Sequence, residues 1–137
     1  MNSYEYLPHT ADIKFKAYGA TLDEAFSNAA YAFTDIMIDH EKVDDAMEKS
    51  FSVQSENLDA LLYDFLEQFI FFLETEGFLL HAIASMQING TSLSITCRGD
   101  DHLEKYEIKT HIKAVTYQQM EIREKEKYWS VQVIVDV

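Results

Sequence analysis

The order of apolar and polar positions divides the chain into elements. Ile13, Phe15 and Ala17 alternate with Lys14, Lys16 and Tyr18, a period of two that predicts a strand from Asp12 to Tyr18 with one wet face. Gly19 closes it. Thr21-Leu22-Asp23-Glu24 has the form of a capping box. Behind it Leu22, Ala25, Phe26, Ala29, Phe33, Ile36 and Met37 fall at helical spacing, predicting a helix over roughly 22–38. The charged run from Asp39 to Met47 reads as a loop, and Phe51 and Val53, flanked by Ser50, Ser52 and Gln54, as a short strand. A second helix begins after Ser55 or Asn57, either of which can cap it. Its stripe of Leu58, Leu61, Leu62, Phe65, Leu66, Phe69, Ile70 and Leu73 is the most apolar in the chain and ends at Gly77. Phe71 and Phe72 lie round its side, where they can reach a partner.

The second half reads as strand. Leu79 to Ile88 leads into Asn89-Gly90, a type I′ hairpin signal, and Leu93, Ile95 and Cys97 continue beyond it. Arg98-Gly99-Asp100-Asp101 reads as a polar turn, and Tyr106 to Ile122 as one long extended stretch. Glu124-Lys125-Glu126-Lys127 forms the last turn, after which Val131, Val133 and Val135 alternate to the end. Strand–helix–strand–helix followed by a strand meander predicts an α+β class: a compact two-layer sandwich, two helices packed on mainly antiparallel sheet. With 137 residues and no linker, it reads as a single domain over 1–137.

Composition narrows the function classes. The net charge of −13 opposes direct binding to a nucleic-acid backbone, where Lys and Arg dominate affinity. It suits a basic protein partner, a cation, or solubility alone. No apolar run approaches the ~18 residues of a membrane span, and the first residues carry no basic and apolar signal pattern. A single cysteine, Cys97, excludes an internal disulfide. Together these predict a cytoplasmic protein.

Two carboxylates stand out. Asp12 belongs to Pro8-His9-Thr10-Ala11-Asp12-Ile13, at the entrance to the first predicted strand, where a carboxylate needs solvent or a partner. Asp136 points away from the Val131, Val133 and Val135 face, next to Val137 and its α-carboxylate. Hard oxygens so grouped suit Ca²⁺, Mg²⁺ or Mn²⁺ if a third group approaches, and Asp12 can do so only if the first and last strands meet. The bland alternative is a solvated acidic end. His9, His40, His81, His102 and His111 are scattered with no zinc spacing. Cys97 alternates with Leu93 and Ile95, the pattern of a buried, inert thiol. No nucleophile elbow or phosphate loop occurs, so a catalytic reading has little support. Lys113, in Lys113-Ala114-Val115-Thr116-Tyr117, is a lone cation placed to contact an anionic group.

Three blocks in order, His9-Thr10-Ala11-Asp12-Ile13, Lys113-Ala114-Val115-Thr116-Tyr117 and Ile134-Val135-Asp136-Val137, resemble the archease family over essentially the whole chain. The helix start Leu22-Asp23-Glu24-Ala25-Phe26 is similar as well. The resemblance implies a compact α/β sandwich and a non-enzymatic cofactor of the RtcB-type tRNA-splicing RNA ligase, promoting its guanylylation and multiple turnover. It also implies a divalent cation, calcium foremost, held by Asp12, Asp136 and Val137. His9 and Lys113 then fall to supporting or partner-contacting roles. Lys14 and Gln118 depart from the family pattern. Competing classes are a small metal-dependent hydrolase with His9 as base, and a chaperone-like modulator of nucleic-acid-processing proteins.

Overall fold

The computed structural model describes residues 2–137. The first sheet contains β1 (Tyr4–Leu7), β2 (Ile13–Gly19), β6 (Ala114–Glu124) and β7 (Trp129–Asp136), in the order β1-β2-β7-β6. The second contains β3 (Met47–Gln54), β4 (Leu79–Asn89) and β5 (Ser92–Asp100), in the order β3-β5-β4. All pairings are antiparallel. Helix α1 (Leu22–Met37) packs on β2 and β7 of the first sheet and on β4 of the second, while α2 (Leu58–Glu76) packs on β6 and on β3 and β4. The α+β class is as the sequence predicts, with the antiparallel strands divided between two sheets that both helices bridge.

Caps set the helix ends. The Thr21 side chain accepts from the Glu24 amide at 3.1 Å, and the Asn57 side chain accepts from that of Ala60 at 2.8 Å, each satisfying one otherwise free donor. At the far end of α2, Gly77 takes φ 70° and its N–H bonds back to Leu73, the left-handed cap that stops a helix. Between the caps the apolar faces bury Phe26, Phe33, Leu61, Leu62, Phe65 and Leu66 completely. The rings of Phe26 and Phe65 stack at 6.0 Å, joining α1 to α2. Each such side chain contributes about 1.5–3 kcal/mol on burial.

Several expectations are corrected. Tyr4–Leu7 forms an edge strand with no apolar period to announce it, and β3 begins four residues before Phe51. Phe72 is buried, packing edge-on against Phe51 at 5.0 Å, so only Phe71 of that pair reaches solvent. In the β4–β5 hairpin Asn89 pairs with Ser92, so Gly90 and Thr91 are the turn. Only Gly90 has positive φ, whereas type I′ needs it at both central residues; glycine first is the type II′ pattern. The stretch from Tyr106 to Lys113 is irregular, with strand only from Ala114. The supposed turn at Arg98-Gly99-Asp100 is the end of β5, and Asp100 is fully buried. Cys97 meets its expectation: it is buried, and burial pushes its thiol up to about 12.

Candidate metal centre

Strands β2 and β7 are neighbours with Ile13 opposite Val135, and Asp136, the last residue of β7, lies opposite Ala114 of β6. Continuing the β2–β7 register by one residue sets Asp12 opposite Asp136. Residues 124 positions apart in sequence thus reach one end of one sheet, because the last strand inserts between β2 and β6. Both aspartates are half-buried. Val137 is half-buried too, its side chain against the core. Lys113 arrives through its backbone: its N–H donates to the Asp136 carbonyl at 2.7 Å, while its side chain is exposed.

Two features of this corner are not legible in the sequence. Ala11, directly before Asp12, has φ 70°, a left-handed conformation costing an L-residue about 1–2 kcal/mol. Nothing in an alanine announces that conformation, and strain of this kind collects where a side chain must be aimed. The second feature is the Nδ1 of His9, which is buried without a hydrogen-bond partner among the described residues and lies 4.0 Å from the nearer Asp12 oxygen. A buried orphan beside a carboxylate is costly unless something else satisfies it. Carboxylates at adjoining strand ends, with an unsatisfied nitrogen beside Asp12, are a donor set that suits a hard divalent cation and its ordered shell.

Lys14 and Gln118 lie alongside. Lys14 pairs with Ile134 across β2–β7, and its ammonium donates to the Gln119 side-chain oxygen at 2.9 Å. That bond holds a bulge in β6, where four residues (117–120) face one between the pairs Thr116–Ile134 and Glu121–Gln132. Gln119, at φ 53°, also accepts from Gln132 at 2.8 Å through its carbonyl. Gln118 is exposed within the same bulge.

Two further acidic clusters have no signal in the sequence. Asp35 accepts from the Tyr4 hydroxyl, from the His40 N–H at 2.9 Å and from His40 Nδ1 at 2.7 Å. The His40 carbonyl in turn accepts from His81 at 3.2 Å, so both histidines are structural. Asp100 is the more unusual. One of its oxygens accepts from the His102 N–H (3.2 Å) and Nδ1 (2.8 Å). The other accepts from the Tyr106 hydroxyl (2.6 Å) and the Lys105 ammonium (3.1 Å). These donors, Tyr106 foremost, hold its carboxyl far below the ordinary carboxylate range. Asp100, Asp101 and His102 could converge on a cation, as could Asp35, Asp39 and His40. However, the oxygens of Asp35 and Asp100 are already taken by protein donors, which makes both clusters hydrogen-bond hubs. An open depression of about 570 Å³, lined by Asp44, Lys105 and Tyr106 among others, lies beside the Asp100 loop and not at the Asp12–Asp136 corner.

The Asp100 hub makes a pH prediction. The hydrogen bond that His102 Nδ1 donates to Asp100, together with the carboxylates around it, raises the His102 imidazole above its ordinary value. In an NMR titration His102 will therefore reach half-protonation above about 6.5, and Asp100→Asn will bring that midpoint down. A midpoint at or below the ordinary value in the wild type would break the assignment of this hub.

With the geometry in hand, comparison with known proteins is informative. The model of the archease protein family (MTH1598/TM1083) matches residues 4–137. The protein archease of Methanosarcina mazei is 37% identical over 139 residues, spanning 98% of this chain and 95% of its own. That of Methanosarcina barkeri is 38% identical over 141 residues with the same coverage. The solution structure of Methanobacterium thermoautotrophicum protein 1598 superposes with a TM-score of 0.85 at 34% identity, over 100% of both chains. A Thermotoga maritima crystal structure, described as an archease and possible chaperone, shares the fold at a TM-score of 0.60 and 20% identity, over 96% of this chain and 94% of that one.

Proposed function

This chain belongs to the archease family, and from that premise we propose that it activates an RtcB-type tRNA-splicing RNA ligase, promoting guanylylation of the ligase and its multiple turnover. It acts as a protein cofactor and not as an enzyme, in keeping with the possible-chaperone description of the Thermotoga protein. The observation that carries the reading is the β2–β7 pairing, which brings the ends bearing Asp12 and Asp136 together. In this reading Asp12, Asp136 and the Val137 α-carboxylate hold one divalent cation, calcium foremost, with magnesium and manganese as alternatives. When bound, the ion supplies a fixed positive charge and open coordination positions at an otherwise anionic corner.

The residues around the corner have separate tasks. The Asp12 and Asp136 carboxylates present the acidic end that docks at the mouth of the ligase active site, where they bias metal or GTP placement. Ala11 sets the direction of Asp12 through its left-handed backbone. Lys113, exposed and anchored by its N–H to Asp136, offers a cation to an anionic group of the partner. The net charge of −13 favours a protein partner with a basic face over direct contact with RNA. No helix among the described residues is long and apolar enough to cross a membrane, and we place the activity in the cytoplasm.

The test follows guanylylated ligase with the wild type, Asp12→Ala and Asp136→Ala. The wild type is expected to accelerate guanylylation, and each variant to lose about 10- to 100-fold of metal affinity or activation. Calcium should raise the melting temperature of the wild type and not that of either variant. Unchanged activation by both variants would sink the site. A wild type without effect on the ligase would sink the function.

A further inference from the structure

Helix α2 carries Asp59, Asp64, Glu67, Glu74 and Glu76 and not one lysine or arginine. Among the described residues only Glu76 finds an ion pair, with Lys49 at 2.7 Å. Asp59, Tyr63, Glu67, Phe71 and Glu74 recur at steps of four, four, four and three, so they form one line along the helix. The core does not claim this line: Asp59, Phe71 and Glu74 are exposed, while Tyr63 and Glu67 are half-buried. Acid and aromatic alternate along it. Its last acid, Glu74, stands in the final turns, where the helix dipole disfavours an anion by about 0.3–1 kcal/mol.

Strand β6 extends this surface. Tyr117, 54% exposed like Phe71, lays its ring parallel to that of Tyr63, with centroids 4.4 Å apart and planes 9° apart. Burial against its surroundings raises the Tyr117 phenol first, and the carboxylates of Asp64, Asp59 and Glu56 raise it further; three anions therefore bear on this aromatic pair. Glu67 accepts from the Val115 N–H at 2.8 Å. That bond occupies a backbone donor of edge strand β6, and the bulge over 117–120 interrupts the strand beyond it. A partner strand could not add along this edge in register, so recognition here must use side chains. Flat aromatic faces on a helix line whose carboxylates Asp59, Glu67 and Glu74 meet no cation among the described residues match the planar guanidinium, which stacks and pairs bidentately at once.

We propose that the acidic–aromatic line of α2, with Tyr117 stacked beside it, is a docking surface for an arginine-bearing segment of a partner protein. The proposal stands apart from the ligase assignment, since it names the chemistry of the segment and not the protein that carries it. Charge complementarity is what selects this occupant. A second copy of the chain would bring the same carboxylates against this surface, and like charges meeting there oppose association.

The probe is a fluorescein-labelled amphipathic peptide with arginines at three- and four-residue spacing, titrated against the full chain by anisotropy. A second peptide has citrulline at every arginine position. The wild type is expected to bind the arginine peptide and not its neutral counterpart. Phe71→Ala with Tyr117→Ala keeps the net charge and should weaken binding by about 10-fold or more. Asp59→Asn with Glu74→Gln should weaken it comparably. Removing the same number of charges at the β6–β7 hairpin end, with Glu124→Gln at the end of β6 and Glu126→Gln in the turn, should stay within about twofold. Both exposed-aromatic replacements leave the buried core intact, and a melt of each variant checks this. Absence of binding, or equal loss in the turn variant, would overturn the proposal, the latter by showing bulk charge attraction. So would a wild-type dimer in sedimentation that Phe71→Ala with Tyr117→Ala dissociates, because the occupant would then be a second copy.

Discussion

Gly99→Ala will cost the fold about 3 kcal/mol or more, at the upper end of what overpacking a core does. Gly99 sits in β5, the central strand of the second sheet, paired with Met47 on one side and Leu80 on the other. A Cβ at this position would lie 2.0 Å from the Leu79 carbonyl oxygen and within 2.9 Å of two Phe78 ring carbons. The carbonyl cannot retreat cheaply, because it belongs to backbone within the ladder, and the Phe78 ring is itself fully buried. Space is what demands glycine here; positive φ is recorded only at Gly77 and Gly90 among the glycines. Gly90→Ala supplies the contrast. Nothing lies within 4 Å of a Cβ there, but φ is 61°, so it should cost only the conformational penalty of about 1–2 kcal/mol. Urea melts of both variants decide the matter. A Gly99→Ala midpoint equal to that of the wild type would mean the β4–β5 approach is much looser than described.

What could be read in the sequence was whatever depends on local period and end chemistry. Helix α1 matches because Ala25, Phe26, Ala29 and Phe33 are spaced for one buried face and Thr21 caps it. The alternation of Val131, Val133 and Val135 correctly announced β7. The types and positions of Asp12 and Asp136 raised the question whether their strands meet, and the β2–β7 register answers it. Features that need a distant partner were not readable. Tyr4–Leu7 becomes a strand because Lys14–Ala17 offers it an edge. Ala11 takes a left-handed turn that no alanine predicts. Arg98-Gly99-Asp100 has the composition of a turn, and only the closeness of Leu79 and the donors of residues 102–106 make it the buried end of a strand. The acidic–aromatic line on α2 is legible only in part: Phe71 stands off the apolar stripe, but Tyr117 joins the line through the packing of β6 on α2, which no local period announces.

Asp100→Asn will lower the melting temperature near neutral pH by on the order of 10 °C, and the size of that loss will itself depend on pH. The carboxylate accepts from Tyr106 and Lys105 at one oxygen and from His102 twice at the other. An asparagine amide must turn its NH₂ toward one of these donor pairs, so donor faces donor in a site with no solvent access. The Tyr106 hydroxyl has little freedom to reverse, because its oxygen already accepts from the Asp44 N–H at 2.9 Å. The wild-type carboxyl is held far below its ordinary value. Its contribution is therefore present above the unfolded value of about 3.9 and fades as pH falls through the lower folded value. His102 acts in the opposite sense. Raised above its ordinary value chiefly by the hydrogen bond it donates to Asp100, it contributes fully below about 6.5 and loses its share as pH climbs through the raised value. The stability gap between wild type and Asp100→Asn should accordingly be widest between about pH 4 and 6.5 and narrow on both sides. Melting curves across pH 3 to 9 measure it. A gap independent of pH would mean that Asp100 serves the loop by shape alone and that its charge contributes nothing.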